Sequence, residues 1–293
     1  MSIASDEHAP VTKPKGRTRH ELDAIETPLL RDAANWLVVF SGTANVVMQL
    51  ANRPVAYGVM QSTVDEGNLF KNPHRRARTT LAYIAVCVLG TPAERAAMRK
   101  AVNGSHAHVR SDAAAEVAYN AFDPALQKWV AACLYRGSVE SYTLVHGQLV
   151  DAAAEEYYQQ AKVFGTTLQL RAEDWPADLA AFDEYWTSTL AGLEIDERTR
   201  AYLMKVVRME YGPQRLPAWF ERLRTRQVAG HLGPDFRRLM RLDWSSDDQR
   251  RYDAFNRRMR TLTLLSPRWL REAPLRVPLR DLRRRMAQGR PLL

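Results

Sequence analysis

Cysteine is almost absent. Cys87 and Cys133 stand alone, each inside an apolar run, YIAVCVLG and WVAACLY. Two thiols are too few for a disulfide framework or a Cys-ligated zinc site, so both are expected as reduced core residues. Long apolar stretches are missing as well: Trp36 to Val59 is broken by Ser41, Asn45, Gln49, Asn52, Arg53 and Pro54, which is too polar for a lipid-facing span. The opening MSIASDEHAPVTKPKGRTRHE has no apolar stretch behind its basic residues. It reads as a disordered leader rather than a secretory signal or anchor, and a cytoplasmic location is expected. Hairpin signals are lacking, since no Asn-Gly or Asp-Gly is flanked by alternating apolar residues. So are the common catalytic signatures: no GxSxG, HExxH, P-loop, strand-borne GxGxxG or CxxCH occurs.

Charge is present but badly distributed. Lys+Arg number 42 and Asp+Glu 33 in 293 residues, a net +9. Residues 256–293 hold eleven Arg against Glu272 and Asp281, so this segment alone accounts for the +9 and residues 1–255 sum to zero. A basic working face across the whole fold is excluded, and with it the usual nucleic-acid binder. In LTLLSPRWLREAPLRVPLRDL the arginines alternate with Leu, Pro and Trp, as in an element docked on a domain with its guanidinium groups outward. Contact with an acidic surface, including peripheral membrane contact, is the second use such a segment allows.

Helix punctuation is plentiful. Thr91-Pro92-Ala93-Glu94 is a capping box with Pro at the first helical position, Asp123-Pro124 and Trp175-Pro176 look like further starts, and Gly90, Gly165 and Gly192 sit where periodic runs stop. The pattern predicts helices over 28–51, 54–63, 74–89, 92–110, 124–135, 138–163 with a break near Gly147, 177–190, 196–208, 217–229 and 246–264, with short pieces after 232 and 278. One all-α multi-helix domain follows, spanning 28–255, preceded by a leader over 1–27 and followed by the basic segment 256–293. Trp and Tyr along 157–186 read as core packing.

Two places could carry chemistry. In the helix opening at Pro92, Met98, Val102, His106 and Val109 recur at helical spacing, so His106 projects from an apolar stripe while His108 points away. A buried imidazole needs a hydrogen-bond partner or a metal. His146, on a stripe with Val139, Tyr142 and Leu149, presents the same choice. In HRRARTTLAYIAVCVLG, Arg76, Thr80, Tyr83 and Cys87 share one face, bringing a guanidinium and a hydroxyl to the N-terminal turns of an apolar helix. Such a start suits an anion, or is simply a solvated first turn like that expected of Arg75 and Arg78.

Taken in order, MQLANRPVAYGVMQS (48–62), NPHRRARTTLAYIAVCVLGT (72–91), HAHVRS (106–111), YNAFDPALQKWVAACL (119–134) and LLSPRWLREAP (264–274) resemble the MpaB-type and rubber-oxygenase (latex clearing protein) family. Pro73, Arg76, Thr80, Tyr83 and Gly90 match one family pattern, and His106 matches the His of a His-x-x-Val-x-Gly pattern. The resemblance implies a globin-like all-α core holding a non-covalent haem b, with His106 as the iron ligand and Arg76 and Thr80 at the haem. It further implies an oxygenase using dioxygen on a hydrophobic small molecule, or a haem- or ligand-binding relative without catalysis. Three positions depart from the family: Ser111 replaces the closing Gly, Ala131 replaces a His, and Gln61 stands where rubber-cleaving members carry an acid. An amide takes up no proton as a base, so polyisoprene cleavage is not expected.

Overall fold

Side-chain caps begin several of the helices where Thr, Asp, Asn or Ser precedes them. The computed structural model describes residues 18–61, 69–210 and 217–293. Among them the chain is all-α, its only β feature an isolated antiparallel bridge between Arg110 and Asn120. The elements are α1 (Arg19–Asp23), α2 (Pro28–Asp32), α3 (Leu37–Leu50), α4 (Arg53–Met60), α5 (Pro73–Leu89), α6 (Pro92–His106), α7 (Pro124–His146) and α8 (Asp151–Gln160). They continue as α9 (Val163–Thr166), α10 (Leu179–Ala191), α11 (Glu197–Arg208), α12 (Ala218–Met240), α13 (Ser246–Leu265), α14 (Arg268–Arg271) and α15 (Ala273–Ala287). Both bonds of the Thr91–Glu94 capping box form, and Asp123, Asp178, Asp196 and Ser245 cap α7, α10, α11 and α13 through their side-chain oxygens.

The differences from the predicted elements have local causes. The expected helix 28–51 divides because the Asn35 Oδ1 accepts from Leu37 N, restarting the chain as α3. The expected break before 138 is absent. Gly137 lies inside α7, and a Cβ there would stand too close to the Asn45 amide. The break falls instead at Gly147, whose φ of 92° ends α7. α6 stops at His106 rather than 110. Gly233, at φ 70°, kinks α12. Thr18 caps α1 and Arg19 donates to Leu170 O (3.0 Å) and Gln169 O (2.7 Å), so the chain is ordered from within the stretch expected as leader. Residues 1–17 of that leader, and 62–63 of the helix expected over 54–63, lie outside the described residues.

α3 and α7 form the spine. Trp129 Nε1 donates to Gln49 O (3.0 Å), Asn45 Nδ2 to Cys133 O (2.6 Å) and Asn35 Nδ2 to Ser141 O (3.2 Å), a descending order that makes the pair antiparallel. Around it Tyr135, Tyr157, Tyr158, Trp175, Phe182 and Trp186 interlock, with Trp129 stacked on Trp186 at 5.1 Å, so the aromatics are core. Cys87 and Cys133 are free and buried.

The basic segment packs on this domain. Leu275, Leu279 and Leu282 bury one face of α15 against α5, and Arg283 pairs with Glu94 at 2.6 Å. Arg75 and Arg78, expected in a solvated first turn, instead donate to Leu293 O (2.9 Å) and Leu292 O (3.2 Å). The Glu272 carboxylate binds Arg31, Arg268 and Arg276 at 2.6–2.9 Å.

Candidate functional site

α5 is held by its middle and C-terminal turns. Tyr83 Oη donates to Phe164 O (2.6 Å) and Cys87 Sγ to Val163 O (3.6 Å), clamping that face onto α9. Arg95, almost fully buried on α6, donates to Asp23 O (2.9 Å), Ile25 O (2.6 Å) and Cys87 O (2.9 Å) and so locks the α1–α2 turn to the end of α5. Thr80 and Arg76 continue the Tyr83–Cys87 face toward the N-terminus, one and two turns beyond the clamp.

Neither side chain finds a partner among the described residues. Among the described residues the Arg76 guanidinium makes no ion pair or hydrogen bond. Its pKa is lowered by burial, with only the Tyr202 hydroxyl opposing the shift. Tyr202 comes from α11 and meets the Phe70 ring edge-on at 5.0 Å. The Thr80 hydroxyl likewise makes no hydrogen bond among the described residues. Its neighbour Thr79 returns its own to Arg76 O (3.1 Å).

His106 is the last residue of α6, so its ring leaves the helix end rather than the middle of a stripe. Nδ1 is buried without a partner. Burial, and then the Arg76 charge, bring the imidazole pKa down to about 4. At neutral pH the ring is therefore neutral, the form in which imidazole binds a metal. The Phe122 ring stands edge-on at 6.3 Å. The structure thus brings His106 and Arg76 into one electrostatic environment, with Thr80 a turn further along α5.

The loop after His106 is fixed at its base. Ala121 N donates to Val109 O (2.9 Å), Ser111 N to Tyr119 O (2.9 Å) and Tyr119 N to the Ser111 hydroxyl (3.1 Å). Gln127 Nε2 donates to Ala121 O (2.8 Å), and the Gln127, Gln169 and Asn103 side chains bond in series.

The three departures acquire physical content here. Ser111 has no positive φ, so its backbone makes no demand for glycine, and its hydroxyl serves the loop. Ala131 is fully buried, and a Cβ on Gly165 of α9 would lie 3.5 Å from its own, so an imidazole at 131 has no room. Gln61 caps the C-terminus of α4 with its N–H on Tyr57 O (2.9 Å).

The histidine stripes mislead at one position and miss another. His146 is exposed beside Tyr142, at the end of α7. His231 on α12, which no stripe singled out, has a fully enclosed side chain, with Nδ1 2.8 Å from Glu140 Oε1 and Nε2 buried and unpartnered. Tyr252 Oη donates to the same carboxylate oxygen (3.1 Å). The only hint in the sequence is its place between Gly230 and Gly233-Pro234; its partners come from α7 and α13, distant in the chain. A carboxylate-oriented imidazole is a ligand-like arrangement, but neither the hollow between His74 and Arg285 nor that between Lys128 and Trp175 reaches it. Among the described residues no three His, Cys, Asp or Glu side chains gather as a metal-binding set.

Comparison with known proteins now has a geometry to meet. No solved structure matches the chain. Two relatives, one from Mycobacterium bovis and one from Mycobacterium tuberculosis, both described only as uncharacterized, are each 49% identical over 210 residues, covering 72% of this chain and 82% of theirs. Residues 30–263 match the family model of the ER-bound oxygenase mpaB/B′ and rubber oxygenase catalytic domain. That span takes in α5, α6, α7 and the His106 loop, and the chain belongs to this oxygenase family.

Proposed function

We propose that the protein is a haem b-dependent oxygenase acting with dioxygen on a hydrophobic small molecule, with His106 as the iron ligand and Arg76 and Thr80 at the haem. The observation that carries this reading is the pairing of a neutral imidazole, whose Nδ1 is buried and has no partner among the described residues, with a half-buried guanidinium that has no carboxylate among them. The imidazole is costly alone, since an unsatisfied buried polar group costs about 1–3 kcal/mol, and the half-buried guanidinium near it lacks a counter-charge among the described residues. A porphyrin answers both needs, offering a metal to the imidazole and propionates to the guanidinium. With no convergent ligand set among the described residues, an iron here would come within a haem held by the His106 imidazole and by Arg76.

When bound, haem would supply the iron at which dioxygen is activated. The chain's share is to hold and enclose. His106 stays neutral at physiological pH, Arg76 supplies fixed positive charge, and the Thr80 hydroxyl is free to donate. The Phe122 ring stands beside His106, and Tyr202, with Phe70 against it, lies near Arg76. Gln61 favours a second reading, a haem or ligand carrier without catalysis, because an amide there offers no base.

The test is spectroscopic. Full-length protein loaded with haem should give a Soret band, and His106→Ala should lose most of the bound haem or shift the band. An unchanged haem content and spectrum in His106→Ala overturns the assignment. Oxygen uptake with unsaturated lipids and terpenoids then separates oxygenase from carrier, which would bind haem and consume nothing.

A further inference from the structure

The docked basic segment leaves one corner uncovered. Where α13 ends and α14 begins, the chain reads Leu262-Thr263-Leu264-Leu265-Ser266-Pro267-Arg268-Trp269-Leu270. Leu265 is 79% exposed, Trp269 66% and Leu262 60%. Pro267 at the start of α14 turns the chain, so these side chains project from a knuckle rather than lying along a helix. Trp36 joins them: its Nε1 donates to Leu270 O (3.1 Å), and Phe40, one turn on in α3, meets Phe255 of α13 edge-on at 5.2 Å. Solvated helix faces do not present clustered leucines and two tryptophans to water, and contiguous patches of this kind mark a contact surface.

The charge around the corner has one sign. Arg257, Arg258 and Arg268 are exposed and Arg271 is half-buried. Across residues 256–280 the sole acid is Glu272, whose side chain is 3% exposed and enclosed by Arg31, Arg268 and Arg276. The corner therefore presents apolar tips in a cationic rim that has no exposed carboxylate of its own segment. This is the chemistry of a bilayer interface with anionic headgroups: Trp lies at the headgroup level, Leu reaches the acyl boundary and Arg meets the phosphates. A second copy of the chain fits less well, because an isologous contact would set one cationic rim against another. No helix among the described residues is long and apolar enough to cross a membrane, so the contact would be peripheral.

We propose that the α13–α14 corner, led by Leu262, Leu265 and Trp269, seats the protein on the surface of an anionic lipid bilayer. Flotation of the full chain with vesicles of phosphatidylcholine, alone or with about a third phosphatidylserine, tests this. The full chain should float with the anionic vesicles at least about tenfold better than with the neutral ones, and lose that preference as salt rises from about 0.1 to 0.5 M. Leu265→Glu and Trp269→Glu should each lower binding about tenfold while circular dichroism and elution volume stay unchanged. Trp219→Glu, at a 64% exposed Trp at the start of α12, should leave it intact. The proposal is overturned by failure to float with anionic vesicles, by full binding in Leu265→Glu and Trp269→Glu, by an equal loss in Trp219→Glu, or by a dimer that Leu265→Glu dissociates. None of these readouts involves haem, so they stand or fall apart from the oxygenase reading.

Discussion

Between a ligand and a liability, His106 is distinguished by its burial first and by the Arg76 charge second. Its pKa of about 4 follows from desolvation and from Arg76, two contributions that arise only when α5 and α6 pack. In the sequence the stripe from Met98 singles the residue out, and a family pattern chooses it over His108. What was not legible is that it ends its helix, since the helical pattern continues to Val109 while the backbone leaves at Ala107. His231 was invisible for a related reason: a histidine buried by residues from α7 and α13 carries no periodic sign of its own. At the same scale Ser111 yields a prediction. Because no positive φ asks for glycine there and its hydroxyl accepts from Tyr119 N, Ser111→Gly should lower stability by about 0.5–2 kcal/mol, measured by urea unfolding. A stabilised Ser111→Gly variant would mean that the loop prefers the family's glycine after all.

Between elements, closeness decides what can stand where. α9 approaches α7 through Gly165, whose hydrogen leaves space that Leu170 and Ala131 take up. Restoring a histidine by Ala131→His should therefore overpack this contact and cost about 1–3 kcal/mol or more, seen as a lowered urea midpoint. It should not install a ligand, and haem content should not rise. The start of α6 was legible because its capping box is local chemistry, and the bond from Glu94 N to Thr91 Oγ1 forms at 3.3 Å as the spacing requires. α15 was reduced in the sequence to a short piece after 278 because Pro274 and Pro278 interrupt the expected signal. Pro274 occupies the first turn, where no N–H is needed, and Leu275, Leu279 and Leu282 still recur at helical spacing on one side. The continuity of α7 through Gly137 was hidden too, since only the approach of Asn45 explains a glycine there.

Across the whole molecule the +9 of the C-terminal segment divides into two parts. Around α15 the charge is paired, with α6 through Arg283 to Glu94 and within the helix through Arg284 and Arg285 to Asp281. Around α14 it gathers at the corner, with Glu272 as internal counter-ion. Burial alone would raise the Glu272 pKa, but Arg31, Arg268 and Arg276 outweigh it and hold the carboxyl at about 2. A depressed carboxyl pKa adds stability that is present above its ordinary value and lost as pH falls from there through about 2. Glu272→Gln should thus cost about 1–2 kcal/mol at neutral pH, with the gap to the parent protein closing between about pH 4.5 and 2. Urea midpoints across that range check it, and a gap independent of pH would refute the ion-pair origin.

The docking of α15 on α5 has a consequence in time. Synthesis proceeds from the N-terminus at about 5–20 residues per second, and α5 is complete nearly 200 residues before α15 emerges. Until then the face of α5 that receives Leu275, Leu279 and Leu282 has no cover, although residues 30–263, the whole of the family match, have already left the ribosome. Cover for α5 therefore waits on α15, and a chain stopped at the family boundary would leave that surface open to the first apolar partner it met.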